Sequence, residues 1–187
     1  NGQSTLIFLA NGGGKSVIVQ LLTALFVHKG HRNFNKRTFA SYFTTVKPTF
    51  IMVEWVLDNG AGYCLTGMMV RKSQNVDNNE ELEIINFISE YRNSCEQDIN
   101  HLPVVERDAK VLKLKSFAAC REIFEGYKKE KLNTFFYYDM NNYAQSKQYF
   151  SKLAEYGIDY REWESILKKI NSDESGPVSY THLTLPT

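Results

Sequence analysis

The sequence has little cysteine, almost no net charge and no long apolar run, and each shortage closes off a class of function. Cys64, Cys95 and Cys120 are the three cysteines, far apart and odd in number. They argue against a disulfide framework or a cysteine zinc site and suit a reducing compartment. The four histidines show no metal-ligand spacing. Lys and Arg number 22 against 21 Asp and Glu, a formal charge of +1, so bulk charge announces neither a nucleic-acid nor a membrane partner. No apolar stretch approaches the roughly 20 residues a bilayer-spanning helix needs, and no signal-peptide pattern opens the chain. A cytoplasmic protein with no membrane partner is the expectation. Internal repeats and low-complexity tracts are also lacking.

What is present suits one globular domain: 187 residues, 43% apolar and 23% charged. Ser4 to Leu9 is a continuous apolar run, as expected of a strand buried on both faces. Residues 11–14 form a glycine turn. Ser16 to His28, apolar almost all round, predicts a buried helix stopped near Gly30. Residues 28–37, "HKGHRNFNKR", read as a basic loop. Residues 49–58 alternate with period two, and residues 63–72 follow after Asn-Gly, which predicts an antiparallel hairpin. Residues 73–79 read as a polar loop. Leu82, Ile85, Ile88 and Tyr91 recur at helical spacing and predict an amphipathic helix over 80–91. "PVVE" and "KVLKLK" read as short strands, 116–129 as a helix and the aromatic run 134–140 as a strand. Asn142 to Tyr156 reads as a helix ended by Gly157. Asp159, with Glu162 three residues on, reads as the cap of a last helix.

The chemistry is concentrated in "LANGGGKSV", residues 9–17. A buried strand, a glycine turn and Lys-Ser at a helix start make a strand–P-loop–helix unit. Glycines let successive backbone N–H groups point into one concavity, because no Cβ obstructs phosphate oxygens. The positive end of the following helix adds to that field. Asn11, Gly12, Gly13, Gly14, Lys15, Ser16 and Val17 are the predicted ATP-binding residues. Lys15 is the catalytic candidate, placing its ammonium on the β/γ-phosphates, and the Ser16 hydroxyl is a Mg²⁺ ligand. The motif's usual first glycine is Leu9 here. That position closes the turn more than it touches phosphate, so the expectation is a modified cradle.

"ANGGGKS" resembles the N-G-x-G-K-S loop of the SMC, MukB, RecF and SbcC class of ATPase heads. "FLANGGGKSVIVQLL", "YFTT", "FIMVEWVLDNGAGYCLTG" and "YFSKLAEYGIDYREWESILKKINSDESG" together look like large bacterial MukB-like or Wadjet-type (JetC-like) coiled-coil ATPases. The likeness spans most of residues 4–176; only the P-loop is a sharp motif. Leu9 departs from it, as does Glu174-Ser175-Gly176, where two glycines would follow the glutamate. The resemblance implies an α/β fold: a P-loop NTPase, a partial ABC-type ATPase head with an antiparallel β hairpin and a helical C-terminal part. It implies ATP and Mg²⁺ as cofactors, a second head as partner in a homodimer, accessory subunits, and DNA as the partner of the full-length protein. The function implied is coupling of ATP binding and hydrolysis to DNA organisation, repair or plasmid defence. Residues 1–176 would be the N-terminal lobe, with the signature loop and the acidic Mg²⁺ ligand in a later half. Residues 177–187 read as a non-biological tail: "VSYTHLTLPT" (178–187) back-translates to a transposon sequencing adapter read in frame, and Pro177 fits the adapter's preceding bases. A chain that begins at Asn1 and within three residues enters an apolar run fits a gene fragment cut at both ends.

Weaker signals complete the reading. Gln74, just after the second hairpin strand, stands where ABC-type ATPases carry a Mg²⁺- and water-sensing glutamine, and is the second metal candidate. Glu54 in "FIMVEW" and Asp139 in "FFYYDM" imitate a Walker B strand, but an ordinary strand with one polar residue explains each better. The basic loop His28, Lys29, His31, Arg32, Lys36, Arg37 offers phosphate contacts to DNA or nucleotide, or is a solvated loop. The aromatics at 135–138, Trp55 and Trp163 read as packing residues in preference to a base-stacking platform. Two rival functions remain: another P-loop enzyme such as a small-molecule kinase, and a nucleotide-switched interaction module.

Overall fold

The computed structural model describes residues 14–34, 37–74, 80–108 and 111–172. The expected strand at 4–9, the tail 177–187, most of the glycine turn and most of the polar loop 73–79 lie outside them. The described chain is a mixed α/β fold built on a four-stranded sheet. Its strands are β1 (Thr49–Leu57), β2 (Gly62–Lys72), β3 (Leu82–Tyr91) and β6 (Phe135–Asp139), ordered β1-β2-β3-β6 with every pairing antiparallel. A separate two-stranded ribbon joins β4 (Val105–Asp108) to β5 (Val111–Leu114). The helices are α1 (Lys15–Thr23), α2 (Phe117–Glu130), α3 (Tyr143–Glu155) and α4 (Tyr160–Ser172).

The hairpin at 49–72 forms as its alternation predicts. Asn59 takes a left-handed conformation (φ 56°) in the connecting turn, which an asparagine tolerates. The predicted helix over 80–91 is instead strand β3. Its three-residue spacing is a coincidence of a strand covered on both faces. Leu82, Ile84 and Ile88 pack in one apolar layer, Ile85 and Phe87 in the other. The β-branched content of "LEIINFIS" favours the extended chain, and β2 and β6 supply hydrogen-bonding partners on both edges. Periodicity cannot separate these cases when both faces are apolar.

Two cores result. On one face Met68, Val70, Ile88 and Tyr138 meet Tyr149, Phe150 and Leu153 of α3, together with Leu25 and Phe26 after α1. On the other, Leu65, Met69, Phe87, Phe135 and Tyr137 meet Phe117, Cys120, Phe124 and Tyr127 of α2. The aromatics of β6 are therefore packing residues. Trp55 and Trp163 both pack on Phe26, at ring centroid distances of 5.6 Å and 5.1 Å.

The helix ends carry the expected chemistry. Ser116 and Asn142 accept the N3 amides of α2 and α3 at 3.2 Å and 3.1 Å. Gly157 at φ 76° closes α3, where Ile158 N–H reaches Leu153 O at 3.1 Å and Gly157 N–H reaches Ala154 O at 3.0 Å, a Schellman ending. Asp159 does cap α4, taking the Arg161 amide at 2.9 Å.

Helix α1 departs from expectation. It ends at Thr23, well before Gly30, and is not buried all round, since Ile18 and Leu22 are each 40% exposed. Thr23 Oγ1 bonds back to Val19 O at 2.7 Å, which disturbs the last turn. Leu25 and Phe26 then bond back three residues, to Leu22 O and Thr23 O. This tightening carries the fully apolar Ala24–Val27 into the core.

Candidate functional site

The candidate phosphate site is described from Gly14 onward; Asn11, Gly12 and Gly13 lie outside the described residues. Gly14 stands at φ 83°, ψ 15°, left-handed, immediately before the first helical residue, Lys15. Only a glycine takes this conformation without steric cost. A left-handed residue followed by a right-handed one turns consecutive N–H groups towards one side, the geometry of an anion nest. The helix begins at once: Ile18 N–H bonds to Gly14 O at 3.0 Å. The amides of Gly14, Lys15, Ser16 and Val17 precede that first bond and have no partner within the helix.

Two further observations bear on what this terminus can hold. No side chain caps α1, and no acidic residue stands in its first turn. α2 and α3, by contrast, each use a capping side chain. The positive end of α1 is thus left without a counter-charge of its own, a state that favours an anion. Ser16 is exposed at the second helical position, which leaves its hydroxyl accessible to a cation brought in with phosphate.

Sequence reasoning missed the residue that anchors α1. Gln20, buried in the middle of "VIVQLLT", donates through Nε2 to Arg32 O at 2.9 Å and Arg37 O at 3.1 Å, and accepts from Tyr42 OH at 2.7 Å. One amide side chain therefore pins both arms of the basic loop and the following segment to the helix. The available signal was a lone polar residue within an apolar helix, which must find partners when buried.

That loop is far less basic than its sequence suggests. Lys29 pairs with Glu80. His28 Nδ1 lies 2.8 Å from Glu164 Oε1, and His31 Nε2 lies 3.5 Å from Glu164 Oε2, tying the loop to α4. Arg32 is only 4% exposed, which removes it as a surface contact for DNA phosphates. Arg37 is exposed, its guanidinium 5.2 Å from the Tyr42 ring. Lys36 lies outside the described residues.

Gln74 is exposed beyond the end of β2, and its backbone N–H donates to Glu83 Oε1 at 3.3 Å. This fixes it beside the start of β3; among the described residues no hydrogen bond joins it to Gly14 or Ser16. Glu54 is exposed in mid-β1 and accepts from Tyr91 OH. Asp139 ends β6, and its Oδ1 accepts from Asn141 N–H at 3.0 Å. Both carboxylates are thus engaged in ordinary structural hydrogen bonds. No group of three or more potential metal-ligating side chains occurs among the described residues, and no helix there is long and apolar enough to cross a membrane.

Compared with protein-family models, with curated proteins and with solved structures, the chain matches none.

Proposed function

We propose that this chain is the N-terminal lobe of a P-loop ATPase head of the SMC/MukB-like class. In this reading Asn11, Gly12, Gly13, Gly14, Lys15, Ser16 and Val17 bind ATP with Mg²⁺. The observation that carries it is the left-handed Gly14 feeding directly into an uncapped helix with no acid in its first turn. The glycine that the motif places before Lys15 has the left-handed backbone found in phosphate cradles, which supports the reading. The antiparallel β1–β2 hairpin after α1 supports a head over a small-molecule kinase, whose strands would continue as parallel βα units.

Each residue has a definite task. Backbone amides at the start of α1 hold phosphate oxygens, and Lys15 brings charge to the transferring phosphoryl group. Ser16 is the hydroxyl suited to ligate Mg²⁺, which supplies charge neutralisation between the phosphates when bound. Gln74 is the second candidate ligand for that ion. Hydrolysis also needs a group to orient water and an acid to hold the metal. In a head of this class those come from the C-terminal half and from a second head, and DNA and accessory subunits act on the assembled pair.

The experiment is equilibrium binding of a fluorescent ATP analogue with Mg²⁺ to wild type and Lys15→Ala. The substitution is expected to abolish saturable binding. Unchanged affinity in Lys15→Ala would refute the assignment.

A further inference from the structure

Beneath the loop that follows α1 lies a cavity of about 350 Å³, bounded by residues of the 29–40 segment, the start of β3 and α3. Phe39, Leu82, Ile84 and Met140 give it apolar walls, and Arg32 supplies a cation. Gly14, Ser16 and Val17 do not line it.

Arg32 is the anomaly. It is nine-tenths buried and more, its Nε is sealed from solvent, and that atom has no hydrogen-bond partner. Among the described residues no carboxylate pairs with it. Of the acids around the loop, Glu80 is engaged by Lys29 and Glu164 by His28 and His31, while Glu81 lines the same cavity and, among the described residues, makes no ion pair with Arg32. The Phe39 ring, 5.8 Å from the guanidinium carbon, is a weak substitute. Burial lowers the Arg32 pKa to about 10, with the Tyr149 hydroxyl opposing the shift, so the guanidinium stays charged at neutral pH. A buried charge without a counter-ion is among the costliest features a fold can keep.

The geometry points to Arg32 as the anchor of a site for a small oxyanion, a carboxylate or phosphate on a compact, partly apolar body. A guanidinium binds either oxyanion through paired N–H donors. Thr38 and Ser146 add hydroxyls to the lining. The volume lies at the lower end for small-molecule pockets. Glu80 and Glu81 also line the cavity, and their negative charge disfavours highly charged anions.

Thermal unfolding of the whole chain is followed while inorganic phosphate or succinate is titrated in the low millimolar range, with potassium chloride at matched ionic strength as control. Wild type is expected to show a saturable rise in Tm with at least one of the two anions, and which one responds separates phosphate from carboxylate ligands. Arg32→Met is expected to fold, because a buried charge replaced by an apolar side chain of similar length is tolerated, and to lose affinity by about tenfold or more. Ser146→Leu, which fills the rim without touching the charge, is expected to lose the response as well and decides the matter if Arg32→Met does not fold. Lys15→Ala is expected to keep it. A flat wild-type titration with both anions overturns the inference, as does an undiminished response in Arg32→Met. A response lost in Lys15→Ala but kept in the two cavity variants also overturns it, and leaves the ATP assignment standing.

Discussion

Gly67→Ala tests the packing that holds the sheet together. Gly67 sits in mid-β2 opposite Phe87 of β3. A Cβ added there would lie 2.1 Å, 2.4 Å and 2.6 Å from three carbons of the Phe87 ring, far inside van der Waals contact. The ring has nowhere to go. It is fully buried, with ring centroids 4.7 Å from Phe124 and 5.9 Å from Phe135. Overpacking of a filled core costs about 1–3 kcal/mol, and the fixed strand backbone on one side places this case in the upper half, about 2–3 kcal/mol. In a domain of this size that lowers Tm by about 4–12 °C. Urea unfolding of wild type, Gly67→Ala, Phe87→Leu and the double variant measures it. Phe87→Leu should be destabilising alone but should absorb part of the alanine's cost, giving a non-additive cycle. A Gly67→Ala cost below about 0.5 kcal/mol, or an additive cycle, would show that the ring does not occupy the space the missing side chain leaves.

Three further outcomes are expected. The isolated chain should not turn ATP over, because the water-activating and metal-holding acids are assigned to another half; multiple turnovers abolished by Lys15→Ala in a phosphate-release assay would contradict this. Burial pushes the Asp98 carboxyl up, but bonds from the His101 side chain, Cys95 N–H, Ser94 Oγ and His101 N–H outweigh it and hold the group well below the usual carboxylate range. A depressed folded-state value contributes stability above the unfolded aspartate value of about 3.9 and loses it as pH falls below that, so acid unfolding monitored by circular dichroism should shift to higher pH in Asp98→Asn. Burial raises the thiols of Cys64 and Cys120 to about 12 and about 11, so mass spectrometry after brief iodoacetamide treatment should find Cys95 labelled first; equal labelling of all three would count against the packed cores.

Legibility in the sequence followed the number of faces an element buries. β1 has an exposed side at Glu54 and Val56, so its alternation was visible. The ends of α2 and α3 were visible because Ser116, Asn142 and Gly157 act locally. β3 was misread because both its faces are apolar, and the pairing that makes it a strand comes from β2 and from β6, some fifty residues on. The length of α1 was overestimated because core residues Ala24–Val27 are apolar whether helical or not. At the candidate site the glycine before Lys15 was legible as part of a tight turn, but its left-handed φ of 83° was not. Gln20's three bonds were not, since each of its partners is brought to it by the fold.

The basic loop shows why a count of charges is a poor guide to an interface. Six basic residues within 28–37 suggest a surface that attracts phosphate. Folding gives two histidines a shared glutamate on α4, one lysine a glutamate before β3, and sends Arg32 inward. The charges thereby serve cohesion: Glu164 holds the loop to α4, while Gln20 holds it to α1. Helix α4 is thus joined to the region of the helix that starts at Lys15 by the 28–37 segment and by Trp163, which packs on Phe26. Contacts of this kind carry coupling only where the segment has two arrangements that both ends bias, and under the proposed function α4 would lead on towards a coiled coil. If that proposal holds, a nucleotide at the start of α1 and a displacement of α4 would both act on residues 28–37, where Gln20 and Glu164 attach.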